Sequence, residues 1–340
     1  MSVNTQRLNT CRFIILFVIS LYSLGSAVAS TEQSKLPNLL SLNEWKVPWE
    51  GLPRDPHVDS KGQVWFCGQA GNYIGRFSPS NQQFKKYQVP EGTHPHNLLV
   101  DKQGQVWYAG NRNAHIGRMD PKNGKIQQYP MPKGVNDPHT LVFNQQGNIW
   151  FTAQQSNHIG LLNVNNGQVR VATPATANAR PYGIKVDAQN RPWIVLFGTN
   201  KLAWVDPKNM AVTEINLPRP DARPRRLEID PSDNIWYVDY IGGYLGRYSL
   251  NNKKFKEWKL PSKSPRPYGT ALDNKGRLWI ADTGEVPNII FAFDTAKETF
   301  TSKTPVPSGG NIRYMYFDNT DNSIWFGVDT GYLAQGKPNK

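Results

Sequence analysis

The chain has 340 residues, a formal charge of +13 and two cysteines. The excess of Lys and Arg, with no aromatic-basic nucleic-acid motif, favours acidic glycans, anionic lipids or anionic small molecules over nucleic acid as partners. A disulfide framework is excluded: Cys11 falls in an N-terminal apolar stretch, which leaves Cys67 alone, and that thiol is expected to be buried and inert.

At the N-terminus, Arg7 and Arg12 precede an apolar run over residues 13–24. That run has the length of a secretory signal and is short for a membrane span. Ala27-Val28-Ala29 offers a cleavage site before Ser30. Residues 1–29 therefore read as a signal peptide and residues 30–340 as a single domain, periplasmic or secreted. No membrane span remains after cleavage, a monomer is expected, and an uncleaved anchor is the alternative.

Trp65, Trp107, Trp150, Trp193, Trp236, Trp279 and Trp325 recur at intervals of 42 to 46 residues. A period of this length marks a propeller or solenoid. The second unit shows what one repeat contains. Leu98-Leu99-Val100 is followed by the turn signal Asp101-Lys102-Gln103-Gly104, then by Val106-Trp107-Tyr108. Ile116-Gly117-Arg118-Met119, a second turn and residues 126–129 complete four short strands, which Pro130 ends. The fold class is therefore all-β: a seven-bladed β-propeller of four-stranded antiparallel blades. The last unit lacks a fourth strand. Asn43-Glu44-Trp45-Lys46-Val47-Pro48 matches the fourth-strand pattern of residues 254–261, so residues 42–48 are expected to complete the last blade and close the ring. The tryptophans and the recurring turn aspartates (Asp59, Asp101, Asp187, Asp230, Asp273, Asp318) read as structural. His115 and His158 read as turn residues, and His57 as a packing variant of Leu99.

One position per blade does not read as structural. After the Pro that opens the first strand stand Arg54, His96, His139, Tyr182, Arg225 and Tyr268; in the last blade Arg313 follows Ile312. Seven equivalent positions hold only Arg, His and Tyr, and ring symmetry brings them to one axial height around one opening. The position before the Pro is also polar in most blades: His94, Asp137, Arg180, Arg223, Arg266 and Asn311, with Leu52 the exception. Blades two and three thus offer His94, His96, Asp137 and His139, a sector able to bind a metal or move a proton. Blades four to six offer Arg180, Tyr182, Arg223, Arg225, Arg266 and Tyr268, a sector able to hold an anion or polarise a carbonyl.

The repeat, seen in Arg180-Pro181-Tyr182-Gly183-Ile184, Gly147-Asn148-Ile149-Trp150-Phe151-Thr152 and Asn72-Tyr73-Ile74-Gly75-Arg76, resembles the virginiamycin B lyase family of seven-bladed propellers. The resemblance implies opening of an ester by elimination, with Mg²⁺ near acidic residues, a His base, and a Tyr and a second His beside it. A metal acting as Lewis acid would stabilise the developing enolate, and a neutral His would take the proton. The family places acid-Pro-His in the last blade, where this chain has Asn311-Ile312-Arg313; Asp137-Pro138-His139 offers the same form in blade three. On this reading His139 is the base, with His96 and Tyr182 assisting, and Asp137 and His94 are metal-associated. Arg54, Arg180, Arg225, Arg266, Tyr268 and Arg313 bind an anionic or carbonyl substrate. The family's second acidic ligand corresponds to Gln154 here. The competing reading is a non-catalytic exported propeller that binds an anionic ligand or a protein through the same mouth. A calcium-dependent lactonase would need a convergent set of Asp, Asn and Glu, for which this ring is too basic.

Overall fold

The turn aspartates and the tryptophans form one device. Asp59 Oδ1 accepts the amides of Lys61 and Gln63, both at 2.9 Å, and so closes the turn between the first two strands. Its other oxygen accepts Trp65 Nε1 at 2.8 Å. The same indole anchor joins Asp101 to Trp107, Asp187 to Trp193, Asp230 to Trp236 and Asp273 to Trp279. In blade three Asn144 replaces the Asp, and Trp150 Nε1 has no partner. The anchored indoles are buried against the following sheet: Trp65 packs on Leu98 and Tyr108 of the next blade, and Trp325 packs on Val64 and Phe66 of blade one. Burying such side chains contributes on the order of 2–3 kcal/mol each.

Seven four-stranded antiparallel sheets result. Their first strands are Pro53–Val58, Pro95–Val100, Pro138–Phe143, Pro181–Val186, Pro224–Ile229, Pro267–Leu272 and Met315–Asp318, and these contact one another around the axis. The chain is a seven-bladed β-propeller. It divides into Met1–Leu36 and Pro37–Lys340. The computed structural model describes residues 1–2 and 36–339, so the signal peptide read at residues 1–29 lies outside the described residues except for Met1 and Ser2.

Closure occurs as expected, two residues earlier than the expected span. The strand Leu40–Lys46 pairs with Tyr332–Pro338, from Leu40 opposite Pro338 to Lys46 opposite Tyr332. Val47 N still donates to Gly331 O at 2.9 Å, and Pro48 has no N–H with which to continue. The segment also clasps blade six, since Lys303 N donates to Pro37 O and Leu39 N to Ser302 Oγ, both at 3.0 Å. Trp45 stacks on Trp325 with ring centroids 5.7 Å apart. His115 and His158 open the strands His115–Met119 and His158–Leu162 instead of sitting in turns. His115 is buried, with Nε2 at 3.4 Å from the Tyr108 hydroxyl. Cys67 is buried, and burial pushes its thiol pKa well up, as an inert thiol requires.

The first strands of blades one to six share an irregularity that shapes the pore. Pairing with the second strand shifts register just after the opening Pro, for example between Pro138 and Leu141 and between Pro224 and Arg226. A bulge of this kind breaks the in-out alternation. In blades one to six, two consecutive residues therefore turn toward the axis and form two stacked layers of the pore.

Candidate active site

The first layer contains the seven positions that the repeat singles out. It brings them together as a closely packed, largely buried ring. His96, His139, Tyr182, Tyr268 and Arg54 are buried, while Arg225 and Arg313 are half-buried. Arg313 precedes the strand of its blade, which begins only at Met315. The His96 and His139 rings lie 3.7 Å apart, and His139 lies 4.3 Å from Tyr182. The hydroxyls of Tyr182 and Tyr268 hydrogen-bond to each other. The Arg225 guanidinium covers the Tyr268 ring at 3.7 Å and lies 5.2 Å from the Tyr182 ring.

The second layer holds Asp55, Asn97, Thr140, Gly183, Arg226, Gly269 and Tyr314. Arg226 crosses the pore from blade five. Its Nη1 donates to Thr140 Oγ1 at 3.1 Å and its Nε to the Arg313 carbonyl at 3.2 Å, while Nη2 lies 3.5 Å from Asp55 Oδ2. Asp55 also accepts Arg54 Nε and Asn97 Nδ2, at 3.0 and 2.9 Å. Gly183 makes room, since a Cβ there would lie 3.1 Å from Arg226 Cα. Sequence reasoning missed this layer. The available signal was the doubled polar residue after the Pro, as in Arg54-Asp55, His96-Asn97 and Arg225-Arg226, within otherwise apolar strands.

The electrostatics follow from burial beside guanidinium groups. Burial, then Arg226 and Arg54, push His139 well below the ordinary imidazole value; burial, Arg54 and His139 itself do the same to His96. Both rings are therefore neutral at pH 7. His96 Nδ1 lies 3.1 Å from the His139 carbonyl, so Nδ1 carries the proton and Nε2 is the free acceptor. His139 Nδ1 is 2.8 Å from Thr140 Oγ1. Burial disfavours ionisation of Tyr182, but Arg225, Arg226 and Arg54 outweigh it and bring the phenol down to about 8. Tyr268 is raised to about 12, by burial and by the neighbouring Tyr182 charge. One phenol of the pair is thus acidified and the other holds its proton.

Each of the residues before the Pro is engaged by its own local partners. Asp137 belongs to the loop of its own blade: Oδ1 accepts Ser156 N and Oγ at 3.0 and 2.6 Å, and Oδ2 accepts Gln155 N at 2.5 Å. His94 Nε2 faces Arg112 Nη1 at 3.2 Å, and burial and that guanidinium lower its pKa. Arg180 Nε and Nη2 lie 3.2 and 2.7 Å from the Gln154 side-chain amide, and both hydrogen bonds form with the amide turned so that its oxygen faces the guanidinium. Arg266 is exposed and donates to the Ile241 carbonyl at 2.8 Å. Arg313 pairs with Asp329 at 2.5 Å. This donor set does not fit Mg²⁺, which prefers carboxylate and water oxygens in octahedral array. Both Asp137 oxygens are committed to the loop, Gln154 is committed to a guanidinium, and no group of three His, Cys, Asp or Glu converges among the described residues.

Solved structures with the same architecture include selenomethionine-substituted virginiamycin B lyase from Staphylococcus aureus. It is 23% identical with a TM-score of 0.80, and the alignment covers 88% of this chain and 99% of that one. A catalytically inactive histidine-to-alanine variant of virginiamycin B lyase from Staphylococcus aureus, solved with quinupristin, is 24% identical with a TM-score of 0.79 over 88% of this chain and 99% of that one. A streptogramin B lyase structure is 21% identical, also with a TM-score of 0.79, over 88% and 98%. At these identities the likeness establishes the fold. The search of curated proteins returns no match. The profile of the virginiamycin B lyase family matches residues 34–289, three quarters of the sequence, and the chain therefore belongs to that family.

Proposed function

We propose that this propeller is an exported carbon–oxygen lyase acting on an anionic or carbonyl-activated ester or lactone bound at the arginine–tyrosine end of the pore. The observation that carries this reading is the Tyr182–Tyr268 pair beneath Arg225. Among the described residues, Arg54, Lys185, Arg225, Arg226 and Arg313 face the pore, against the carboxylates of Asp55, Glu228 and Asp329. Two positive charges are thus left without a carboxylate in a largely buried space, an arrangement that favours an anion.

In this reading Tyr182, as phenolate, removes the proton from the carbon beside the substrate carbonyl. The C–H electron pair forms a carbon–carbon double bond, the C–O bond on the neighbouring carbon breaks, and the departing oxygen takes its electron pair. That oxygen then collects the proton from the Tyr182 phenol, and no water is consumed. Arg225 and Arg313 neutralise charge growing on the carbonyl oxygen, an effect of about 3–4 kcal/mol per well-placed donor in other enzymes. A base with a pKa near the working pH suits this step. His139 and His96 are neutral, as a proton acceptor must be, but burial and the nearby guanidinium groups make them weak bases, so in this reading the role of base expected of His139 passes to Tyr182. The apolar leader read at residues 1–29 supports export.

The second reading, a binding propeller without turnover, draws support from burial: Tyr182 is 4% exposed and Tyr268 2%. Incubation with esters and lactones bearing an acidic α-proton and a β-oxygen leaving group separates the two. Products of unchanged total mass that form with the wild type and fail to form with Tyr182→Phe support the lyase. Products that gain one water, or equal rates for the two proteins, overturn it. Saturable anion binding without turnover establishes the second reading.

A further inference from the structure

Beyond Arg226 the pore opens again. A cavity of about 260 Å³ lies under the second layer, roofed by Thr140, Arg226 and Tyr314. Its wall is made of the side chains that lie further along the first strands, so it faces the end of the propeller opposite the arginine–tyrosine ring. The wall is two-sided. Blades two and three supply Leu99, Leu141, Val142 and Phe143; blades four, five, seven and one supply Lys185, Glu228, Tyr316 and His57.

The polar side keeps several unspent donors. Both Glu228 oxygens are engaged: Oε2 pairs with Lys185 Nζ at 2.8 Å and Oε1 accepts Thr270 Oγ1 at 3.1 Å. Lys185 has three N–H groups and one carboxylate partner. Burial opposes its charge, but Glu228 outweighs burial and keeps the ammonium ionised. The Tyr314 and Tyr316 hydroxyls make no hydrogen bond to another group among the described residues. His57 stacks on Tyr316 with centroids 4.4 Å apart, and its Nδ1 is buried without a partner. Burial brings His57 down to about 4, so it adds no charge. Two unspent ammonium N–H groups and two phenols facing an aliphatic wall match an acceptor with an apolar body. A cation would meet a carboxylate already neutralised by Lys185 and would face the Arg226 guanidinium in the same lining.

We propose that this cavity is a second ligand site, separate from the arginine–tyrosine ring, that takes a small monocarboxylate with an apolar body. The carboxylate accepts from Lys185 and from Tyr314 or Tyr316, and the body packs on Leu99, Val142 and Phe143. The test is calorimetric titration of the full chain with benzoate, benzamide and benzylamine. The expected result is one benzoate per chain, benzamide at least about 10-fold weaker and benzylamine unbound. Leu99→Trp, which fills the apolar side, should abolish benzoate binding, and Tyr316→Phe should weaken it severalfold. Arg180→Gln, at the other end of the pore, should leave it unchanged. The proposal is overturned if benzoate fails to bind, if benzamide binds as well, if Tyr316→Phe has no effect, or if Arg180→Gln abolishes binding while Leu99→Trp spares it.

Discussion

The hydroxyls of Tyr182 and Tyr268 meet across the pore from blades four and six, 86 residues apart, and Arg225 of the intervening blade lies over them. Neither phenol has this character from its local sequence. Tyr182 ionises early because three guanidinium groups from blades one and five surround it.

A spectroscopic titration should show this directly. One tyrosine is expected to develop tyrosinate absorbance near pH 8, and Tyr182→Phe should remove that step. Arg225→Gln should move the step upward, because it deletes the strongest cation acting on the phenol. If the protein turns over an ester, its rate should rise with pH through the same value. A titration with no tyrosine ionising below pH 9.5 would contradict the assignment.

Asp55 is the carboxylate shared by Arg54 and Arg226, and the asymmetry of that group sets the order of two mutations. Asp55→Asn leaves two buried guanidinium groups without a counter-charge and should cost about 3–5 kcal/mol. Arg226→Met leaves Asp55 still paired with Arg54 and Asn97 and relieves excess positive charge, so about 1–3 kcal/mol is expected. Urea unfolding of both variants checks the order, and equal losses would contradict the charge argument.

Acid should destabilise the fold through its buried histidines. His57, His96 and His139 have folded pKa values below the ordinary 6.5, mainly through burial, and an unfolded chain therefore binds more protons between those values. Their contribution is complete above about pH 6.5 and is lost as pH falls through the folded values. His57, brought to about 4, accounts for about 3 kcal/mol over that interval. Urea midpoints should fall from pH 7 to pH 4, and His57→Leu, which copies Leu99 of the next blade, should flatten the slope.

Blade three offers a stabilising change. Asn144 uses its oxygen on the amides of Gln146 and Asn148 and turns its NH₂ toward the unpartnered Trp150 Nε1. Asn144→Asp restores the acceptor present in five other blades and should add about 1 kcal/mol. A melting temperature that stays the same or falls would show that the indole anchor is not a stabilising contact.

Deletion of residues 37–47 should abolish cooperative unfolding. It exposes the edge of Tyr332–Pro338, uncovers Trp325 and removes the clasp on blade six. A single sharp transition after deletion would mean that the other blades hold the ring closed without this strand.

The sequence by itself determined the number of blades, the closing strand and the seven positions around the axis. Each of these repeats with the chain: the Trp spacing, the turn Asp six residues ahead of it, and the residue after the opening Pro are local and recur seven times or nearly so. What the ring does chemically was decided by tertiary structure alone. The bulge after the opening Pro brings a second residue to the axis, which placed Arg226 and Asp55 in the pore. Asp137 and His94 read as a metal sector by type and spacing, yet Asp137 is taken up by Gln155 and Ser156 and His94 faces Arg112. Blade symmetry can be read along one chain, but the contacts that shift a pKa or commit a carboxylate run across the pore between blades. They depend on which side chains meet there, and a repeat that treats every blade alike carries no record of them.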